Sequence, residues 1–171
     1  MNEATLMMAL RLVHIVTGLL WVGATFFFAM YLAPAMLAMG PAGGRVMQEL
    51  MKRRLSLFMA TMPGLVLISG FAMYGRLSVV THGEFARSHS GMALGLGAVL
   101  AIIGGTIDGA VTGRTALALE KLGGILSSVG PPSTDQLKEL ARLQQKLVSS
   151  GRSSSAFLIA AVALMAVARY L

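Results

Sequence analysis

His14 and Asp108 fall inside long apolar runs of this chain, and His89 opens another. Ionisable groups in such runs are costly, so they tend to have a partner or a task. Wound as a helix, Arg11, His14, Gly18, Trp21 and Thr25 share one face, because residues three and four apart stack along it. Leu12, Ile15, Leu19, Phe26 and Phe27 lie mostly elsewhere. That polar stripe is expected to face the protein interior, with Gly18 opening a notch beside His14 and the apolar remainder facing lipid. Imidazole ligates iron and copper, and haem commonly takes axial histidine. His14 and His89 form the one histidine pair with both members on expected helices, since His82 falls in a polar loop. A b-type haem between the first and third spans would take one ligand from each. Arg11, Arg76 and Arg87 would lie near the same surface to meet propionates, with Trp21 and phenylalanines as apolar walls. The plainer reading of His14 is a neutral ring hydrogen-bonded to a threonine or to a backbone carbonyl of a neighbouring helix.

Other groups give less. For Asp108, an ion pair with Arg53, Arg54 or Arg114 is preferred to a proton relay. The 13 methionines invite copper chemistry, because thioether suits Cu(I). Their scatter toward both ends of the spans looks more like adaptable packing. No phosphate loop, paired catalytic carboxylates or Ser-His-Asp set is present, so the sequence leaves enzymatic activity open and leans away from it.

The elements that must position these groups read as four spans, at about 5–39, 55–77, 88–112 and 154–170. A spanning helix needs about 20 apolar residues. The run from Arg11 to Pro34 is too long for a cleaved signal, and its N-terminal flank is not basic. It is therefore expected to be the first span, ending at the breaker cluster Gly40-Pro41-Ala42-Gly43-Gly44. A basic connector, Arg45 to Arg54, carries an apolar edge of Met47, Leu50 and Met51 and could lie on the membrane surface. The second span contains Pro63, which removes a donor and is expected to bend the helix near Met59. A polar loop, Ser78 to Ser88, leads to the third span. Gly97, Ala101, Gly105, Gly109 and Gly113 recur there every fourth residue, a small-residue stripe that lets another helix approach closely. That span could continue in solvent to Leu122, before a breaker-rich linker from Gly123 to Pro132. Ser133-Thr134-Asp135-Gln136 reads as a capping box. It opens an amphipathic helix with Leu137, Leu140, Ala141, Leu147 and Val148 on one side and Gly151 as its stop. The fold class expected is thus an all-α membrane protein. It comprises four spans in one antiparallel bundle, plus an amphipathic cytoplasmic helix within an insert at 113–153.

Composition agrees. Of 171 residues, 56% are apolar and 12% charged, against about 25% charged in a soluble domain. There is no cysteine, which excludes disulfides and thiolate metal sites. The net charge of +7 reads as the charge bias of a membrane protein and not as a nucleic-acid footprint. Ten of the 14 Lys and Arg residues lie in the connectors after the first and third spans. Those connectors are expected in the cytoplasm of a bacterium, with both termini outside the inner membrane. All three histidines then map toward the outer face.

The pattern His14-x3-Gly18-x2-Trp21-x-Gly23 followed by Pro34 resembles the first helix of the copper-resistance protein D-like membrane proteins and their small four-helix relatives. It is also similar to that of the HemJ-type protoporphyrinogen oxidases. Leu67-Ile68-Ser69-Gly70, the His89 opening of the third span, and Met165-Ala166-Val167-Ala168-Arg169-Tyr170 extend the resemblance over most of the spans. It implies a four-helix membrane protein that binds haem b or handles copper, with His14 as the first-helix ligand. The chain departs from the HemJ type in lacking a lysine beside the third-span histidine and in its long insert from Thr112 to Ser155. Three functions follow as expectations: a small cytochrome b-like electron carrier with His14 and His89 as ligands, an accessory subunit of a larger respiratory or photosynthetic complex, and a copper-handling protein. The third-span stripe would dock other membrane subunits or a second copy.

Overall fold

The computed structural model describes residues 2–128 and 133–171, and among them every regular element is helical. Helix α1, Glu3–Ala38, is capped by Asn2, whose side chain accepts from Thr5 N at 2.8 Å. Its backbone widens into a π-helical stretch at Phe28–Leu32, just before Pro34. Proline has no N–H for the carbonyl four residues back, so a local change of register there lets the helix continue. Gly40 (φ +58°) turns the chain and α2, Pro41–Lys52, starts at once. Of the expected breaker cluster only Gly40 lies in the turn, which is the two residues Met39 and Gly40, and Gly43 and Gly44 are helical. A Cβ on Gly43 would lie 1.9 Å from the Met36 carbonyl oxygen, so only glycine allows this tight corner. The basic connector is itself this amphipathic helix.

Arg54, in the left-handed region at φ +62°, leads into α3, Leu55–Val80, which runs through Pro63 without interruption. The polar loop after the second span is shorter than expected. His82 (φ +50°) and Gly83 (φ +86°) make a tight left-handed turn, in which Gly83 N donates to Ser78 O at 2.8 Å. The short helix α4, Glu84–Arg87, follows. Ser88 then caps α5, residues 89–128, which comprises His89–Thr106, a π-helical stretch at Ile107–Gly113, and Arg114–Ser128. Gly123 and Gly124 thus lie inside a helix, contrary to the expected linker, of which residues 129–132 lie outside the described residues.

The largest correction concerns Gly151. The Ser133–Gln136 capping box is formed with both of its hydrogen bonds, but the helix it opens does not stop. Helix α6, Thr134–Val167, is continuous and ends in a 3-10 turn at Ala168–Tyr170. The amphipathic helix and the fourth span are one element. The reason is packing: Leu143, Leu147, Ser150, Gly151, Ser154, Leu158 and Ala161 form one buried stripe across the expected break. At Gly151 a Cβ would sit 3.0 Å from Ala29 Cβ and 3.9 Å from Thr112 Cγ2. The glycine serves a close crossing of three helices, and that contact outweighs its poor helix propensity of about 1 kcal/mol.

Four helices are long and apolar enough to cross a membrane: Glu3–Ala38, Leu55–Val80, His89–Leu126 and Thr134–Tyr170. Their outward faces expose large apolar side chains such as Leu19, Ile68, Phe71 and Val99, the surface that suits a lipid bilayer. Inside, α1 packs on α3, α5 packs on α6, and α1 joins the two pairs through α6, whereas α3 and α5 make no extended contact. Trp21 of α1, Val66 of α3, Ala101 of α5, and Leu158 and Ala161 of α6 form the shared core.

The small-residue stripe of α5 is used unevenly. Gly97 lies against Met165 and Ala161, Ala101 is in the core, and Gly105 takes the Trp21 ring, whereas a Cβ on Gly109 would meet open space and Gly113 faces its own helix at Asp108 O. Gly104, off the expected ladder, is a tight crossing with α6: its Cβ would come 2.9 Å from Leu158 Cγ, and its carbonyl accepts from Ser154 Oγ at 2.8 Å. Gly104→Val is therefore expected to cost about 1–3 kcal/mol, and Gly109→Val close to nothing. Thermal unfolding of the two variants in detergent checks the contrast, and equal losses would remove the distinction.

Candidate functional site

The polar face of α1 is where the four helices meet. Thr17, Trp21 and Thr25 are buried and His14 is half-buried, so the stripe turns inward as its spacing implies. Along it lie two polar contacts to two different helices.

The first joins α1 to α3. His14 Nδ1 lies 2.9 Å from Val66 O and 3.3 Å from Ser69 Oγ. A carbonyl oxygen only accepts, so Nδ1 carries the proton. Ser69 Oγ keeps its own proton on Leu65 O at 2.6 Å and can accept from the ring. With that proton on Nδ1, Nε2 is the nitrogen left for another partner, and it has no hydrogen bond among the described residues. Space for the ring comes from Gly70, where a Cβ would stand 2.8 Å from His14 Cε1. Gly18, the expected notch, is not what makes room: a Cβ there would meet Val66 Cγ2 at an ordinary contact distance of 3.8 Å. The useful glycine was on the partner helix, in the Ser69-Gly70 pair, where a reading of α1 alone could not find it.

The second contact joins α1 to α5. Thr25 Oγ1 donates to Asp108 Oδ2 at 3.4 Å, at the start of the π-helical stretch of α5. The Trp21 indole is 1% exposed. Its Nε1 has no hydrogen-bond partner among the described residues. The expected ion pair between Asp108 and Arg53, Arg54 or Arg114 is not formed among the described residues. Those three arginines are exposed, while the carboxyl is turned toward α1. Beyond it, Thr112 Oγ1 donates to Ser150 Oγ at 2.9 Å, tying α5 to α6. The serines of α6 were not singled out from sequence, although four in six residues of an apolar segment (Ser150, Ser153, Ser154, Ser155) was the available signal.

The remaining candidates are more peripheral. His89 is exposed at the first position of α5, and no hydrogen bond joins it to His14. His82 closes the turn after α3. Arg11 and Arg87 are exposed, and Arg76 forms an ion pair with Glu3. Trp21 floors a groove of about 230 Å³ between α3 and α5, lined also by Pro63, Leu67, Ile102, Gly105 and Thr106. Among the described residues no three His, Cys, Asp or Glu side chains cluster to hold a metal.

Interhelical hydrogen bonds in lipid are worth about 0.6 kcal/mol on average and up to about 1.7 kcal/mol. Gly70→Ala, which drives a methyl into the His14 ring, is expected to cost more than that bond alone, about 1–3 kcal/mol. Ser69→Ala leaves the Val66 carbonyl in place and should cost under about 1 kcal/mol. Unfolding midpoints of both variants decide it: a Ser69→Ala loss as large as that of Gly70→Ala would show that the hydroxyl, not the carbonyl, holds the ring. No protein-family model, curated protein or solved structure matches the chain.

Proposed function

We propose that this chain is a small integral protein of the bacterial inner membrane that binds haem b through His14 and serves electron transfer. Its four long helices form an antiparallel bundle, with the basic connectors in the cytoplasm and both termini outside. The observation that carries the reading is the fixed tautomer of His14. A ligating histidine typically donates its other ring N–H to a carbonyl or carboxylate, which orients the ring and raises its basicity. His14 does this through Nδ1 to Val66 O at 2.9 Å, leaving Nε2 as the donor atom. His89 would supply the second nitrogen in this reading, with Arg11 and Arg87, both exposed, as the cations for propionates. Bound there, haem would supply one-electron chemistry, and the protein would supply ring orientation and an apolar surround.

Protein expressed with ample haem and extracted in mild detergent is expected to show a Soret band and a reduced α-band. His14→Ala should abolish both, and His89→Ala should change the spectrum from six-coordinate to five-coordinate. A colourless preparation, or a spectrum untouched by His14→Ala, would end the proposal.

The accessory-subunit reading is favoured by a different observation. Helices α3 and α5 leave an apolar groove between them, and Gly109 on α5 is open, a surface suited to a helix of another membrane protein. Gly105 is already occupied by Trp21, so the informative variant is Gly109→Leu, expected to release a co-purifying partner without loss of thermal stability. Copper handling, the third reading, has no comparable geometric support in the described residues.

A further inference from the structure

We propose that Asp108, with Thr25 and Trp21, is a reversible proton-binding site inside the bundle, independent of any haem. Its carboxyl accepts from the Thr25 hydroxyl at 3.4 Å. Trp21, 1% exposed, has a buried indole N–H without a hydrogen-bond partner, one turn from Thr25 on the same face of α1. One neutral donor is bonded to the acid, and a second, unpaired, lies beside it on the same helix.

The charged and titratable groups on the packed helices lie elsewhere. On α1, His14 is held by α3, Arg11 is exposed and Glu3 pairs with Arg76 of α3. On α5, Arg114, Glu120 and Lys121 are exposed. On α6, Lys146 and Arg152 are exposed, Arg142 is paired with Glu139, and Lys138 with Asp135. Among the described residues no cation forms an ion pair with the carboxyl.

This arrangement separates three cases. A carboxylate locked to arginine stays ionised, because losing its proton is what makes the pair. A carboxyl in a wholly apolar site stays protonated, because the bare anion is too costly there. Asp108 has neither a cation to lock it nor a purely apolar wall. The Thr25 and Trp21 donors accommodate the anion when it forms, and the absence of a cation accommodates the acid. Both states are held without rearranging the core, which is the property a proton-exchanging group needs. The exchange is simple: the carboxyl O–H bond breaks, the proton passes to water, and the carboxylate takes the two donors. The Thr112–Ser150 hydroxyl pair lies one turn further along α5, and the π-helical backbone at Ile107–Gly113 is the kind of local widening found at functional sites. A metal cation is the less suitable ligand, since a hydroxyl O–H points at the acid and no further His, Cys, Asp or Glu joins it in a metal-holding cluster among the described residues.

The test uses the intact protein in detergent and in phosphatidylcholine vesicles, treated with dicyclohexylcarbodiimide across a pH series. This apolar reagent reacts with a protonated carboxyl in a membrane: the O–H adds across a C=N bond, the proton goes to nitrogen, and acyl migration leaves a stable N-acylurea. Peptide mapping by mass spectrometry locates it. The expected result is one adduct, at Asp108, absent in Asp108→Asn, with a rate falling about tenfold per pH unit above its midpoint, as one proton requires. Thr25→Val and Trp21→Phe each remove a donor to the carboxylate and should move that midpoint to higher pH. Adding sodium chloride should leave the rate unchanged. No adduct at any pH would mean a permanently ionised group, and a pH-independent rate a permanently protonated one. Protection by sodium would mean a cation site. Each of these overturns the proposal, and because the wild-type profile alone decides between them, misfolding of a variant cannot obscure it.

Discussion

Trp21 is the contact on which the bundle depends. In lipid, helices gain little from hiding apolar surface from each other, because acyl chains are as apolar as leucine. Close fit and hydrogen bonds decide which faces meet. The Trp21 ring is the largest fully buried side chain among the described residues and belongs to a core cluster whose members come from every long helix. Gly105 receives it at 3.0 Å from the ring edge to a would-be Cβ. A methyl at 105 would already require the ring or α5 to shift by a few tenths of an ångström, and larger side chains more.

Around this centre the crossings share one device, a small residue beside a hydroxyl or carbonyl. Gly104 takes Leu158 while its carbonyl takes Ser154. Gly151 takes Ala29 while its neighbour Ser150 takes Thr112. Gly70 takes the His14 ring while Val66 and Ser69 take its N–H. Close approach brings backbones near enough for these bonds, and the bonds leave few buried polar atoms unpaired. Trp21 Nε1 and Ser78 Oγ are the two among the described residues.

Much of this was legible in the sequence, because periodicity and length report what a helix does with its own side chains. The inward face of α1 follows from the spacing of His14, Trp21 and Thr25, and the Ser133 capping box from four consecutive residues. Failures came where another helix decides. Gly151 looks like a stop in isolation and is a crossing point in the fold, since Ala29 and Thr112 need its missing side chain. Gly109 looks like part of a packing ladder, yet faces open space, because it lies where α5 widens into its π-helical stretch and α-helical spacing no longer sets the face. Asp108 was assigned an arginine because arginines are its neighbours in the connectors. Sequence distance to a cation says nothing about rotation around α5, and the rotation that buries Ala101 and Gly104 turns Asp108 toward Thr25.

The two ionisable groups held by α1 show how one stripe accommodates polarity in two ways. His14 is matched at Nδ1, whose N–H has a carbonyl, while its other nitrogen has no hydrogen bond among the described residues. Such a group can stay as it is or offer a lone pair to a ligand, and neither demands a change in the bundle. Asp108 is not matched in that sense, since donors meet it but no charge does. A bundle built only for stability would have placed an asparagine there, which keeps an acceptor for Thr25 and Trp21 and carries no charge to desolvate. The carboxyl adds one capability over the amide, the gain and loss of a proton. That difference, and not the burial of the group as such, is why the α1–α5 contact reads as more than a structural joint.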